Sequence, residues 1–235
     1  MEKIKIGLMG GAGSHSGQDY EHGVETAYEM GKHVAERDAV LVTGATTGLC
    51  YAAVLGAYDA GGETLGVSHA ADPETHVLVK PLDHLTAVHF TGAGLIGREY
   101  INIAHSDGIV VAGGGSGTAA EVNLASQLGL PIGGLLGVGG YSAEIPENIA
   151  LPKYGSGVVG SCSPQELVDT VIAMANDYVA NPENIADERY KHFVGQTKSE
   201  LAAAPIIIGA SLDDVVQQGM HLGSDVREIL KEVRT

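Results

Sequence analysis

Ile109-Val110-Val111-Ala112-Gly113-Gly114-Gly115-Ser116-Gly117-Thr118-Ala119-Ala120-Glu121 is the stretch from which the rest of the chain can be read. An apolar run leads into a glycine loop, and a helical pattern follows over Val122 to Leu128. The order is strand, loop, helix. Glycines without side chains let a ligand come close to the backbone. The unpaired N–H groups at the start of the new helix suit a phosphate. Gly113, Gly114, Gly115, Ser116, Gly117 and Thr118 are therefore candidate phosphate-binding residues. Glu121, three residues after Thr118, is expected on the helix's first turn, where a carboxylate would stand beside the phosphate. Thr118-Ala119-Ala120-Glu121 also fits a capping box, in which Thr and Glu serve only the helix end. Capping explains the Thr and the Glu, but not four glycines among the five residues before Thr118.

The same strand–loop–helix unit recurs on the amino-terminal side. Ile4 to Met9 reads as a first strand and ends in Gly10-Gly11-Ala12-Gly13-Ser14. Tyr20 to Arg37 has helical spacing, with Val24, Ala27, Tyr28, Gly31 and Val34 on one side. Ala39 to Thr43 is a second strand, followed by Gly44-Ala45-Thr46-Thr47-Gly48 and a helix that stops at Gly61-Gly62. Thr64 to Ser68 is a third strand. A looser segment runs to about Leu85, and Thr86 to Phe90 is the next strand. Thr91-Gly92-Ala93-Gly94 then opens a helix to about His105.

Beyond the opening stretch, Gly129 and Pro131 end its helix, and Ile132 to Leu136 and Gly157 to Gly160 read as strands. Ser163-Pro164-Gln165-Glu166 is a capping box with proline in the first helical position. Short strands that are apolar on both faces and alternate with helices imply a parallel sheet covered by helices. The expected fold is α/β, a Rossmann-like, doubly wound sheet over residues 1–180. Residues 181–235 are expected to form a C-terminal helical extension, packed on the domain or on a partner subunit. In such sheets ligands bind beyond the carboxyl ends of the strands, so the four glycine loops have one crevice on which to converge. Gly11, Gly13, Ser14, Gly44, Thr46 and Thr47 join the candidate nucleotide-binding residues on that ground. Tight turns and close strand–helix packing account for these two loops equally well.

Composition narrows the partners. Acidic residues number 29 and basic residues 13, a formal charge of −16. That balance argues against nucleic acid and anionic membrane, both of which need a basic footprint. Two cysteines, Cys50 and Cys162, make no disulfide framework and suit a reducing, cytoplasmic setting. No stretch has the length of a membrane span. The ten histidines show no metal-like spacing, so no metal is expected, and no cofactor is expected either. NAD is disfavoured because residue 16 is Ser, which breaks G-x-G-x-x-G, and the second strand ends without an acid.

Arg98 is the second anchor of the argument. No other Arg or Lys lies between Lys80 and Lys153. A cation near a helix's amino end opposes the helix dipole, and that placement suggests a use on a phosphate or base. The plain alternative is a surface pair with Glu99 or Glu121, worth little.

Arg98-Glu99 and Gly113 to Glu121 together resemble the LOG family, once labelled lysine decarboxylase-like. Thr43 to Leu49 and Ala60 to Val67 extend the likeness, which runs over roughly residues 3–178. Members of that family cleave the N-glycosidic bond of a nucleoside 5′-monophosphate to free base and ribose 5-phosphate. The resemblance implies that Arg98 and Glu121 are the catalytic pair and that Thr118 and the glycine loop hold the phosphate. It also implies a homo-oligomer, dimer or tetramer, with Pro205 to Ile208 and the final helix as candidate contacts. Two departures stand out: Ala112 replaces the family's proline, and Glu99 replaces its lysine. They point to a divergent prokaryotic branch. The same superfamily holds binders without hydrolysis, such as molybdenum cofactor carriers and nucleotide sensors, and these are the alternative.

Overall fold

The computed structural model describes residues 2–13, 19–145, 157–181, 207–208 and 213–234. Its elements, in chain order, begin with β1 (Lys5–Gly10), α1 (Tyr20–Glu36), β2 (Val40–Thr43), α2 (Gly48–Asp59) and β3 (Thr64–Ser68). A short α3 (Pro73–His76), β4 (Ala87–Phe90), α4 (Gly94–Ala104), β5 (Gly108–Ala112) and α5 (Ser116–Leu128) follow. Next come β6 (Ile132–Leu135), a 3-10 turn (Tyr141–Glu144), β7 (Val158–Ser161) and α6 (Pro164–Ala180). The last described elements are β8 (Ile207–Ile208), α7 (Asp213–Gly219) and α8 (Ser224–Ile229).

The strands form one sheet in the order β7-β6-β5-β1-β2-β3-β4-β8. The first seven run parallel, and β8 pairs antiparallel on the edge of β4. The order reverses between β1 and β5, so the loops after those two strands leave in opposite directions and open a crevice between them. This is the Rossmann-like α/β architecture that the alternation of elements implies.

Side-chain alternation explains the two covered faces. Ile6 and Leu8 of β1, with Val110 and Ala112 of β5, point into one core with α1, α2 and α6. Met9, Ile109 and Val111 point the other way, onto Ile103 of α4 and Val122 and Ala125 of α5. In α2 every residue from Gly48 to Ala57 is buried, because this helix is covered by the sheet, α1 and α8. Glycine lets α1 and α2 touch backbone to backbone. A Cβ on Gly31 would lie 2.0 Å from the Ala53 carbonyl oxygen, and one on Gly56 2.0 Å from that of Tyr28.

The ends of helices follow local chemistry. Ser163 accepts from the Glu166 N–H, with Pro164 first in α6, as the capping box implies. The Glu166 carboxylate, however, accepts from the Ser161 hydroxyl, which in turn accepts from the Ser163 N–H. The short α3 lies inside the segment expected to be loose, and Asp72 caps it by accepting from the Thr75 N–H.

The carboxy-terminal part contributes to this same body. Val226 and Leu230 belong to the α1–α2 core, Arg227 pairs with Asp83, and Arg234 pairs with Asp59. Ile207 and Ile208 pair with β4. Of the candidate subunit contacts, Ile207, Ile208 and the final helix make contacts within their own chain, and Pro205 and Ile206 lie outside the described residues.

Candidate functional site

The crevice between β1 and β5 holds a cleft of about 200 Å³. Gly10, Gly11 and Ala12 after β1, Gly44 and Thr46 after β2, and Gly115 to Thr118 at the head of α5 line it. Arg98, Glu99 and Asn102 of α4 and Glu121 of α5 complete the wall. Three of the four glycine loops therefore converge as expected. The fourth, Thr91 to Gly94, folds back on β3: Gly92 donates to the Ala70 carbonyl and Gly94 to that of His69. Gly13 has open space around it and does not line the cleft. Ser14 and His15 lie outside the described residues.

The glycine loop divides its work. Gly113 (φ +58) and Gly114 (φ +92) take left-handed backbone. The Gly113 N–H donates to Ser142 Oγ at 2.9 Å, and that hydroxyl donates to the Leu135 carbonyl at 2.7 Å. The N–H groups of Ser142 and Tyr141 return to the Gly113 and Gly114 carbonyls. These two glycines therefore shape the loop, and the part facing the cleft begins at Gly115. Ser142, which sequence reading passes over, is the residue that fixes them.

The capping reading of Thr118 and Glu121 is corrected. The N-cap is Gly115, with no side-chain cap. Thr118 is the third helical residue and packs under Gly114, where a Cβ would lie 2.2 Å from its Oγ1. Ala119 donates to the Gly115 carbonyl, so the N–H groups of Ser116, Gly117 and Thr118 precede the helix's own ladder. Glu121 sits in the second turn rather than the first, and its partners come from another helix. A carboxylate in that place is held by tertiary contacts, not by the end of its own helix.

Those contacts define the chemistry. Glu121 is 6% exposed. Its Oε1 accepts from Asn102 Nδ2 at 3.1 Å and from Arg98 Nη1 at 3.3 Å. Burial raises the Glu121 pKa to about 7, against the pull of Arg98 and Asn102 in the other direction. Glu99 adds to the rise. Arg98 and Asn102 stand four apart on α4, which puts both on one face. Asn102 is fully buried, and its Oδ1 has no partner among the described residues.

Arg98 is buried deeply enough to be more than a surface pair. Its side chain is 12% exposed, and its Nε has no partner among the described residues. It fits because residue 44 is glycine: a Cβ there would lie 1.8 Å from Nη1. The next residue, Ala45, has φ +46, a left-handed conformation that costs a non-glycine residue about 1 kcal/mol or more. Thr47 donates to the Ala12 carbonyl at 2.7 Å and joins the β1 and β2 loops. Glu99 lies beside the head of α5, its Oε1 3.3 Å from where a Cβ on Gly117 would be. Cys50 lines the floor, where burial pushes its thiol up to about 12.

The profile of the SLOG cluster4 family matches residues 3–167. The chain belongs to the SLOG cluster4 family. Solved structures agree on the fold of this SLOG protein. TM1055, a structural-genomics target, is similar with a TM-score of 0.61 and 21% identity, over 72% of this chain and 98% of its own. A molybdenum cofactor binding protein from the phototrophic bacterium Rippkaea orientalis has a TM-score of 0.60 and 28% identity, over 74% and 98%. The Moco Carrier Protein from Chlamydomonas reinhardtii has a TM-score of 0.57 and 31% identity, over 77% and 99%. No curated protein matches the SLOG chain. Among the described residues no helix is long and apolar enough to cross a membrane, and no group of three or more His, Cys, Asp and Glu is placed to hold a metal.

One substitution separates ligand approach from folding. Gly115→Ala places its methyl where nothing lies within 4 Å. The variant is expected to melt within about 2 °C of the parent. Its affinity for a phosphorylated ligand is expected to fall about tenfold, because the new Cβ occupies the approach to the backbone. Calorimetric titration beside a thermal melt checks both; undiminished affinity would place the ligand elsewhere.

Proposed function

We propose that this SLOG protein hydrolyses the N-glycosidic bond of a nucleoside 5′-monophosphate to free base and ribose 5-phosphate. One observation carries the reading. Glu121 is buried at the cleft between Arg98 and Asn102, with a pKa near neutrality, and takes no part in capping its helix. The head of α5 is suited to the phosphate, with N–H groups and the positive end of the helix dipole. That placement brings the sugar over Glu121. As the C1′–N bond breaks, its electron pair goes to the base nitrogen, and positive charge grows on the sugar. The ionised carboxylate stabilises that charge. It also takes a proton from the water whose oxygen bonds to C1′. Arg98 keeps Glu121 oriented and offers a charge to the departing base.

The second reading is a binder or carrier of a phosphorylated molecule, without hydrolysis. The likeness to molybdenum cofactor proteins at 28% and 31% identity favours it. Incubation of the protein with AMP, GMP, CMP and IMP, followed by chromatography, separates the two. Hydrolysis releases free base from at least one, and Arg98→Ala lowers the rate. Retention of a phosphorylated molecule with no base from any of the four supports the carrier.

A further inference from the structure

Beside the cleft, next to its lining residues Gly44 and Thr46, lies a cationic flank that a single phosphate at α5 does not use. The β2–α2 turn carries a positive group at each end. Arg98 Nη1 rests on Gly44, and Lys80 Nζ lies 3.5 Å from Thr47 Oγ1. Gly44 and Thr47 are three residues apart, at most about 11 Å of chain. Lys80 comes from the segment after α3 and is only partly exposed. Among the described residues, the charged or ionisable neighbours acting on it are Arg98 and Cys50, with no carboxylate among them. His69 lies in the field of both cations. In a chain of net charge −16, two partly buried cations beside each other without a carboxylate on Lys80 are costly to hold. Arg98 Nε adds a buried donor with no partner among the described residues.

We propose that the ligand of this cleft carries two separated anionic groups, the first at the head of α5 and the second on the Lys80–Arg98 flank. This rests on the phosphorylated-ligand reading of α5 given above. It narrows the ligand class from a nucleoside monophosphate to a nucleotide with a further phosphate or carboxylate. The second group would accept a charge-assisted hydrogen bond from Lys80 Nζ and lie in the field of Arg98. Burial and the Arg98 charge lower the pKa of Lys80.

The experiment compares AMP, ADP and adenosine 3′,5′-bisphosphate by calorimetric titration against the intact protein and Lys80→Met. A doubly anionic probe is expected to bind about tenfold or more tighter than AMP. Lys80→Met is expected to erase that gain and leave AMP within about twofold. Equal affinity of all three probes for the parent protein overturns the proposal. So does an equal loss for AMP and the bisphosphates in Lys80→Met, which places the one phosphate at Lys80. A second measurement does not depend on nucleotide recognition. Acetic anhydride labelling of Lys80, read by mass spectrometry, is expected to slow when inorganic phosphate is present. Unchanged labelling at saturating phosphate overturns the flank as an anion site. Base release from AMP is scored separately, so loss of the hydrolase reading leaves these results standing.

Discussion

Glu121→Gln is expected to lower base release by roughly 10³-fold while the protein folds and binds as before. The amide has the same shape and still accepts from Asn102, so loss of rate reports the lost charge. In the parent, kcat/KM is expected to rise with pH through about 7, because the ionised form is the active one. A profile that falls through that range would make Glu121 an acid and reverse its role. The same group ties stability to pH. Its pKa goes from an ordinary 4.5 in the unfolded chain to about 7 in the fold, mainly through burial. Between those values the native state holds a proton that the unfolded chain has released. Stability is therefore greatest below pH 4.5 with respect to this group. It declines as pH rises to about 7, by roughly 3 kcal/mol at the most. Glu121→Gln removes that contribution, so denaturation curves of the two proteins should diverge as pH rises and run parallel above about 7.

The largest loss of stability is expected away from the cleft. Gly31→Ala and Gly56→Ala each put a methyl 2.0 Å from a carbonyl oxygen of the facing helix. Neither oxygen sits on a flexible side chain, so α1 and α2 must move apart and release contacts along their length. About 3 kcal/mol is expected for each, with a fall in Tm of roughly 6 to 12 °C. Gly61→Asn is the control: nothing lies within 4 Å, and its φ of +73 is one that Asn tolerates. If Gly31→Ala and Gly56→Ala melt like the control, the two helices are not in backbone contact.

The sheet was legible because parallel strands announce themselves twice, as apolar runs and as glycine loops. Gly129, with φ +72, ends α5 where its place before Pro131 implies. The site was legible in part. Thr118-Ala119-Ala120-Glu121 has the spacing of a capping box, but helix α5 starts two residues earlier, at Ser116, because Gly115 can serve as its cap. Spacing alone does not fix which residue begins a helix. Asn102 was within reach, since it lies four residues after Arg98 on one helical face. An asparagine inside a helix carries no motif of its own, and only Glu121 opposite gives it meaning. Ser142 and Lys80 were out of reach. Each acts across the sheet's topology, on Gly113 and beside Thr47, over distances in sequence that no local pattern records.

Gly44 has a consequence for how this cleft can change over generations. Its missing Cβ is the space in which the Arg98 guanidinium lies. The two positions therefore form one hereditary unit. A lineage that acquires a side chain at 44 must move the far end of the arginine aside, and its contact with Glu121 is disturbed in the same step. The reverse order is open: the arginine can be lost first and the glycine filled afterwards. Drift away from this chemistry thus has a direction, and regaining it requires the smaller residue to return before the larger one.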